Sequence, residues 1–557
     1  MTASNFKVLG LALLAALPLT PFHSRAQTAQ VVLLGRSAGF QNTTVPWQDQ
    51  TIVVARNVSP NGSFMAGVYS RRLGPSGGQP GPVQSDPAIW SWSNGLEVLP
   101  NLGFTPSNLN FGWAAGVTDD GSRAMGSVRY SDLLFRAFSW SRDGGLLQLP
   151  MPAGTPEDLS ANIVDCTPDC ARGIGHTYTA FGSPGPNDDA VIWSNHGAIA
   201  QPLLPHFGYA ISADGATFAG QDGALQQSWL WRPSDPLPFF LTEPPTGTGH
   251  DVPTAISDDG LVVVGTLQSN EWDPTFSYQY THAYRWTQQT GMIDLGDAPC
   301  PGNISVDSVN HDGSVILGSV NCTVANGGRH GLVWILGLGW QELAPMLASD
   351  YQLTFPDINQ VVASTLSPSA PVFMVTGNTT PIGTSTVSAA SARYAVRLPA
   401  ECLPVIDQQP LPISVHTGDT FTLSTTAHHT GPSPLGYQWF RNDLPLDDSN
   451  SQGANSPTLT ISNATDQDAG LYTVAVTTIC GSTTSAQVAV TVRPRCGTAD
   501  FNGDGDAGTD SDIESFFACI AGSCCASCGS PDFNSDGDVG TDSDIESFFR
   551  VLAGGPC

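Results

Sequence analysis

Between about residue 50 and residue 400 one pattern recurs, at a spacing of roughly 45–60 residues. A short apolar step leads into Ser-x-Asp-Gly, then three or four small or apolar residues and another Gly. After a variable loop comes a run ending in Trp, then a Gly turn and a Leu-rich run. The clearest copy spans Ala255 to Gly265, with His282 to Trp286 and Gly291 to Leu295 behind it. Others are Val58 to Gly62 with Trp90 and Trp92, Val117 to Gly121 with Trp140, Ile211 to Gly215 with Trp231, and Val309 to Gly313 with Trp334. Weaker copies lie near Cys166 with Trp193 and near Ser367 with Arg397. Each copy offers about four short strands, which alone cannot bury both faces, so neighbouring copies must stack.

The pattern predicts a mainly β protein whose residues 27–400 form a seven-bladed β-propeller, with six to eight blades compatible with the repeat count. The early strand at Val31 to Leu34 would close the last blade. Each Asp-Gly pair marks a tight hairpin, where Gly accepts positive φ and Asp bonds its own backbone. The Trp strands fill the space between blades, so these Asp and Trp residues are structural. The copies resemble the HAF-type extracellular repeats of secreted bacterial proteins, a family with no shared catalytic activity. Sialidase Asp boxes space Gly one residue further from Asp, so that reading does not apply.

Residues 401–494 show alternating strand patterns with turn signals, as in a sandwich. Tyr437 to Trp439 reads as strand C, Thr458 to Ile461 as strand E, and Asp468 to Tyr472 as a tyrosine corner. These residues resemble an immunoglobulin-like domain. Thr425 and Val474 stand where antibody domains carry the inter-sheet cysteines, and Cys402 with Cys480 offers another bridge. A spacer role is favoured over ligand binding for this module.

The last 63 residues, 495–557, carry a tandem repeat: Asp500 to Phe517 recurs almost unchanged as Asp532 to Phe549, an offset of 32 residues. Oxygen ligands at positions 1, 3 and 5, Gly at 6 and an acidic residue near 12 are what a hard calcium ion needs. The expected ligands are Asp500, Asn502, Asp504 and Asp506 in the first loop, and Asp532, Asn534, Asp536 and Asp538 in the second. Asp512 and Asp544 fall at position 13; they are preferred as closing ligands over Asp510 and Asp542 because they open the helix bearing Ile513, Phe516 and Phe517. Two such loop–helix units resemble a dockerin, and more closely the GC-type variant, since the chain ends in Gly554, Gly555, Pro556 and Cys557. The resemblance implies a small α-helical domain that binds two Ca2+ ions and docks onto a cohesin-like or other cell-surface partner through helix faces.

The N-terminal segment 1–26 reads as a secretory signal peptide: Lys7, an apolar run from Val8 to Leu19, then Ser24 and Ala26 at a small-residue cleavage site. Its apolar run is too short to span a bilayer. The expected location is secreted or extracellular, and possible cell-surface association follows from the tail. Twelve cysteines fit an oxidising compartment. Their even number and local clustering predict six disulfides, with a zinc knot at Cys519, Cys524, Cys525 and Cys528 as the alternative.

Composition narrows the chemistry. The chain has 49 acidic and 20 basic residues and a net charge of −29, which argues against nucleic-acid or anionic-membrane binding. Lys7 is the only lysine, so Schiff-base chemistry and a phosphate-loop lysine are excluded from the mature region. Gly-x-Ser-x-Gly occurs at Gly35 to Gly39 and Gly74 to Gly78, without the strand-to-helix context of a nucleophile elbow. His176, His206 and His282 are scattered without a paired nucleophile. No catalytic residue is assigned. Two functions remain: a non-catalytic extracellular adhesion or scaffold protein tethered by its calcium-loaded tail, and an extracellular glycan-active hydrolase or lyase recruited by the same tail. The sequence does not name a ligand for the propeller, with a glycan and a protein both compatible; a carboxylate cluster in its central pocket would favour the enzyme.

Overall fold

The computed structural model describes residues 29–37, 51–72, 83–99, 111–129, 134–156, 158–178, 189–196, 199–205, 207–273, 278–322, 329–355, 362–366, 370–378, 391–449, 451–493 and 496–555. The targeting segment, the 74–78 Gly-x-Ser-x-Gly and Cys557 lie outside these residues.

The repeats fold into seven four-stranded antiparallel sheets. Their first strands are Thr51–Val58, Gly112–Val117, Ser160–Cys166, Phe207–Ile211, Gly247–Ile256, Gly302–Val309 and Val362–Leu366. Sheets 1 to 6 each take four consecutive strands. Sheet 7 takes three and completes itself with the N-terminal strand Gln30–Ser37, paired with Ser391–Arg397. Each first strand contacts the first strand of the next sheet, and that of sheet 7 contacts that of sheet 1, so the series returns to its start. Apolar clusters lie between neighbouring sheets: Ala66, Ile89 and Trp140 between sheets 1 and 2, Val58, Trp90 and Met374 between sheets 7 and 1. Burial against a neighbour on both faces explains strands as uniformly apolar or small as Gly112–Val117, every residue of which is buried.

One turn joins the first and second strands in sheets 1 to 6. In sheet 5 the Ser257 hydroxyl receives the Val262 N–H (3.0 Å) and meets the Asp259 carboxylate, while the Gly260 N–H closes onto the Ser257 carbonyl (2.9 Å). Thr118, Thr167 and Ser212 repeat this arrangement, and Asn310 substitutes its amide oxygen. Gly313 shows why Gly is required. Its φ is +69°, and a Cβ there would sit 2.5 Å from a Val262 methyl of the preceding sheet. The few arginines lace these turns together: Arg172, Arg285 and Arg397 each donate to the Gly carbonyl of the next sheet's turn, Gly215, Gly313 and Gly62 respectively.

Residues 405–493 form the Ig-like sandwich. Trp439 and Tyr472 are fully buried, and the Tyr472 hydroxyl donates to the Asp468 carbonyl (2.7 Å). Thr425 and Val474 are buried where the inter-sheet cysteines would stand. The Cys402–Cys480 bridge forms instead. This module is docked as well as linked. Cys402 and Ile479 enter the core between sheets 6 and 7, together with Leu343 and Leu347 of helix α1 (Leu343–Tyr351). Asp350 accepts from the Ser433 hydroxyl (2.7 Å), and Ser482 donates to Asp312.

Cys300–Cys322, Cys519–Cys524 and Cys525–Cys528 are further disulfides, and Cys496 is also disulfide-bonded. The paired tail cysteines leave no thiolates for a zinc knot. The expected sixth bridge is absent: Cys166 and Cys170 are buried free thiols, 3.5 Å apart. The reason lies in the turn. Cys170 occupies the glycine position of the sheet 3 copy, with φ +50° and its N–H bonded to the Thr167 carbonyl, so the turn fixes its backbone independently of Cys166.

Candidate functional site

Every first strand carries a register slip near its end, at Ala55/Asn57, Ala114/Gly116, Ile163/Asp165, Gly208/Ala210, Pro253/Ala255, Val306/Ser308 and Ala363/Thr365. A bulge re-aims the side chains beside it. Where six of these bulges converge lies a cavity of about 360 Å³, lined from six sheets by residues that include Asn57, Asp165, Tyr209, Thr254, Asp258 and Asp307. Its lining holds three carboxyls and no Lys or Arg.

The three aspartates differ in how they are held. Asp165 accepts from the Cys166 N–H (2.8 Å), the Asn57 amide (3.2 Å) and the Ile211 N–H (3.1 Å), so it ties sheets 1, 3 and 4 together. Burial pushes its carboxyl up to about 7 against the pull of those N–H donors. Asp258 faces the His311 ring of the next sheet (3.2 Å). Asp307 stands at the bulge of sheet 6. One of its buried oxygens has no hydrogen-bond partner, as does the Ser308 hydroxyl beside it. Burial pushes the Asp307 carboxyl up to about 7 as well, with Arg329 pulling the other way. Among the described residues these carboxyls do not gather closely enough to share one ion. The Cys166 thiol also lines the cavity, but Cys170 beside it and burial push it well above the usual thiol range, which leaves it a poor nucleophile.

The tail holds the residues singled out from the sequence. Helices α2 (Asp510–Ile520) and α3 (Asp542–Leu552) begin at Thr509 and Thr541, each with a capping box. Phe501, Phe516, Phe533 and Phe548 form their shared core, with Phe516 and Phe548 stacked at 4.1 Å. Asp500 accepts from the Asp504 and Gly505 N–H groups, and Asp504 from the Asp506 N–H (2.9 Å); Asp532, Asp536 and Asp538 repeat this. Asp504, Asp506, Asp536 and Asp538 are exposed. In the second loop Asp532, Asp536 and Asp544 offer oxygens within 4.8 Å of one another.

Asp512 and Asp544 occupy a different position from the other acids. Both are fully buried. Asp544 accepts from the Phe533 (2.7 Å), Asn534 (3.2 Å) and Thr541 (2.8 Å) N–H groups and the Thr541 hydroxyl (2.9 Å); Asp512 accepts the equivalent four. Burial raises each carboxyl, but the donors outweigh it and hold both below the ordinary range. Four donors match the acceptor capacity of a carboxylate. Asp510 and Asp542 are exposed at the helix starts. Sequence reasoning passed over Ser511 and Ser543, whose hydroxyls receive the Asn502 (2.9 Å) and Asn534 (2.8 Å) amides. They stand at position 12 itself, which was the available signal.

An immunoglobulin-domain family model matches residues 404–477. Solved structures similar to part of the chain include the titin M3 domain, 22% identical over 16% of this chain and 95% of that one, with a TM-score of 0.14. The tandem Ig repeats of Dlar are 15% identical over 22% of this chain and 89% of that one, with a TM-score of 0.16. At such scores the Ig-like assignment rests on the family match and on Trp439 and Tyr472. A comparison with curated proteins finds no match.

Proposed function

We propose that this chain is a non-catalytic extracellular binding or scaffold protein, built from a seven-bladed β-propeller, a docked Ig-like module and a dockerin-like tail that holds two Ca2+ ions. The ring of first-strand contacts and the N-terminal strand that completes sheet 7 support the propeller. The observation that carries the functional reading is the tail's duplicated outer face. Phe517 and Phe549, equivalent residues of α2 and α3, are 41% and 44% exposed with ring centroids 6.2 Å apart, while four other Phe residues are buried beneath them. Rings left exposed while equivalent neighbours are buried form an apolar contact suited to a partner. Calcium would be held by Asp500, Asn502, Asp504 and Asp506 and by Asp532, Asn534, Asp536 and Asp538; Asp512 and Asp544, preferred from the sequence as closing ligands, are instead taken up by four N–H and O–H donors each. A secreted location and a cohesin-like or other cell-surface partner follow from that reading.

Full-length chain immobilised with calcium should retain a surface protein of the producing cell; chelation, or Phe517→Ser with Phe549→Ser, should release it. Retention indifferent to both treatments would sink the tail's role.

One observation favours the enzyme reading: Asp307, whose buried oxygen is unpartnered, stands in the lining of a cavity large enough for a small polar ligand. A glycan-cleaving activity of the full chain that Asp307→Asn abolishes would establish it. Activity untouched by that substitution, or none on glycans of several linkages, leaves the binding reading.

A further inference from the structure

Sheet 5 contains an arrangement that neither the cavity nor the tail uses. Its second strand, Val262–Asp273, pairs with Tyr278–Thr287 up to Gln268, slips, and resumes at Trp272. Glu271 lies in that slip and is exposed. His282 faces Leu267 across the same pair and is only 6% exposed. Tyr284 faces Asp294 on the next strand, so His282 and Asp294 are diagonal neighbours on one face of the sheet. Asp294 accepts at Nδ1 of His282 (3.0 and 3.2 Å) and is itself fixed by the Gly296 N–H (2.9 Å). That contact sets the ring's orientation and leaves Nε2 as the free face. Among the described residues Nε2 receives no hydrogen-bond partner; it lies 3.6 Å from Asp297, whose side chain is 80% exposed. Ligand atoms of Glu271, His282 and Asp297 all fall within 4.8 Å of one another.

We infer that Glu271, His282 Nε2 and Asp297 form a binding site for one divalent first-row metal ion, with Zn2+ the best match. One neutral imidazole and two carboxylates balance the charge of such an ion, and imidazole suits Zn2+ where it does not suit Ca2+ or Mg2+. The carboxylate on the far ring nitrogen is the outer support that metal-bound histidines need. Glu271 and Asp297 are exposed and swing inward to reach bonding distance. Three protein ligands leave a fourth position for water or a ligand oxygen. The site clips the Val262–Thr287 hairpin to the segment after Asp294.

The test is a calorimetric titration of the full-length chain with Zn2+, in excess Ca2+ so that the tail loops are filled. One Zn2+ per chain is expected. Glu271→Gln and Asp297→Asn should each weaken it roughly tenfold or more, and Asp294→Asn by a factor on the order of 10 to 100. Cys166→Ser with Cys170→Ser should leave it intact, and the Co2+-loaded chain should lack thiolate charge-transfer absorption. No saturable Zn2+ binding, binding unchanged in the Glu271→Gln/Asp297→Asn double variant, or binding lost with the two thiols would each overturn the assignment.

Discussion

The six-sheet cavity and the tail both bury aspartates, yet Asp307 in the one and Asp512 and Asp544 in the other are held in opposite ways. In the tail, Asp512 and Asp544 are buried, and each is surrounded by four N–H and O–H donors that keep it ionised. In the cavity, Asp307 is desolvated with one oxygen unpartnered, and burial favours its neutral form. Net charge alone cannot distinguish the two. The difference lies in where donors point: the helix starts and tight loops of the tail aim four at each of Asp512 and Asp544, whereas one buried oxygen of Asp307 receives none.

The largest effect that sharpens this contrast concerns calcium. Saturating Ca2+ should stabilise the tail by about 3 kcal/mol or more at a hundredfold excess over Kd. Differential scanning calorimetry of the full chain should show the tail transition rising with Ca2+, and Asp504→Ala with Asp536→Ala should abolish the rise. Next comes Asp544→Asn. It leaves at least one buried N–H without its acceptor and should cost the tail about 1–3 kcal/mol in denaturant melts, calcium present or absent. A neutral outcome would mean that the four-donor arrangement is unimportant.

Asp307→Asn should act in the other direction. Burial on folding pushes the Asp307 carboxyl up from its ordinary 3.8 to about 7, so between those values the native state binds more protons. Its contribution is full below about pH 4 and is lost as pH rises through 7. The Asn variant should therefore flatten the stability profile over that window and gain about 1–2 kcal/mol at pH 7 and above. An unchanged profile would place Asp307 in contact with water. The smallest effect is Asp510→Asn, which should move the tail's stability by less than about 0.5 kcal/mol because the side chain is exposed and outside the buried network.

The recurring turn was legible because its chemistry is local: the hydroxyl of Ser257, the carboxylate of Asp259 and the φ of Gly260 act within six residues. Trp439 and Tyr472 were legible for a similar reason, as fixed positions in a known sandwich pattern, whereas the Cys402–Cys480 bridge departs from that pattern and was legible only as two cysteines left near the ends of the module. The cavity was not. Asp165 and Asp307 appear in sequence as single polar residues within apolar strands, and only the register slips of their own strands place both in the lining of one cavity. A slip of one residue leaves no mark in composition. Cys170 misled for the opposite reason: read as half of a disulfide, it stands in for the turn's glycine. The helix at Leu343–Tyr351 went unforeseen because Pro345 interrupts its pattern, and its formation owes more to the packing of Leu343, Met346 and Leu347 than to propensity.

The most direct test of the central claim is a calorimetric Ca2+ titration of the full-length chain at pH 7, alongside the Asp504→Ala/Asp536→Ala variant. Two saturable ions per chain, both lost in the variant, are predicted. No saturable binding, or binding that survives the two substitutions, would contradict a calcium-loaded tail and remove the proposed tether.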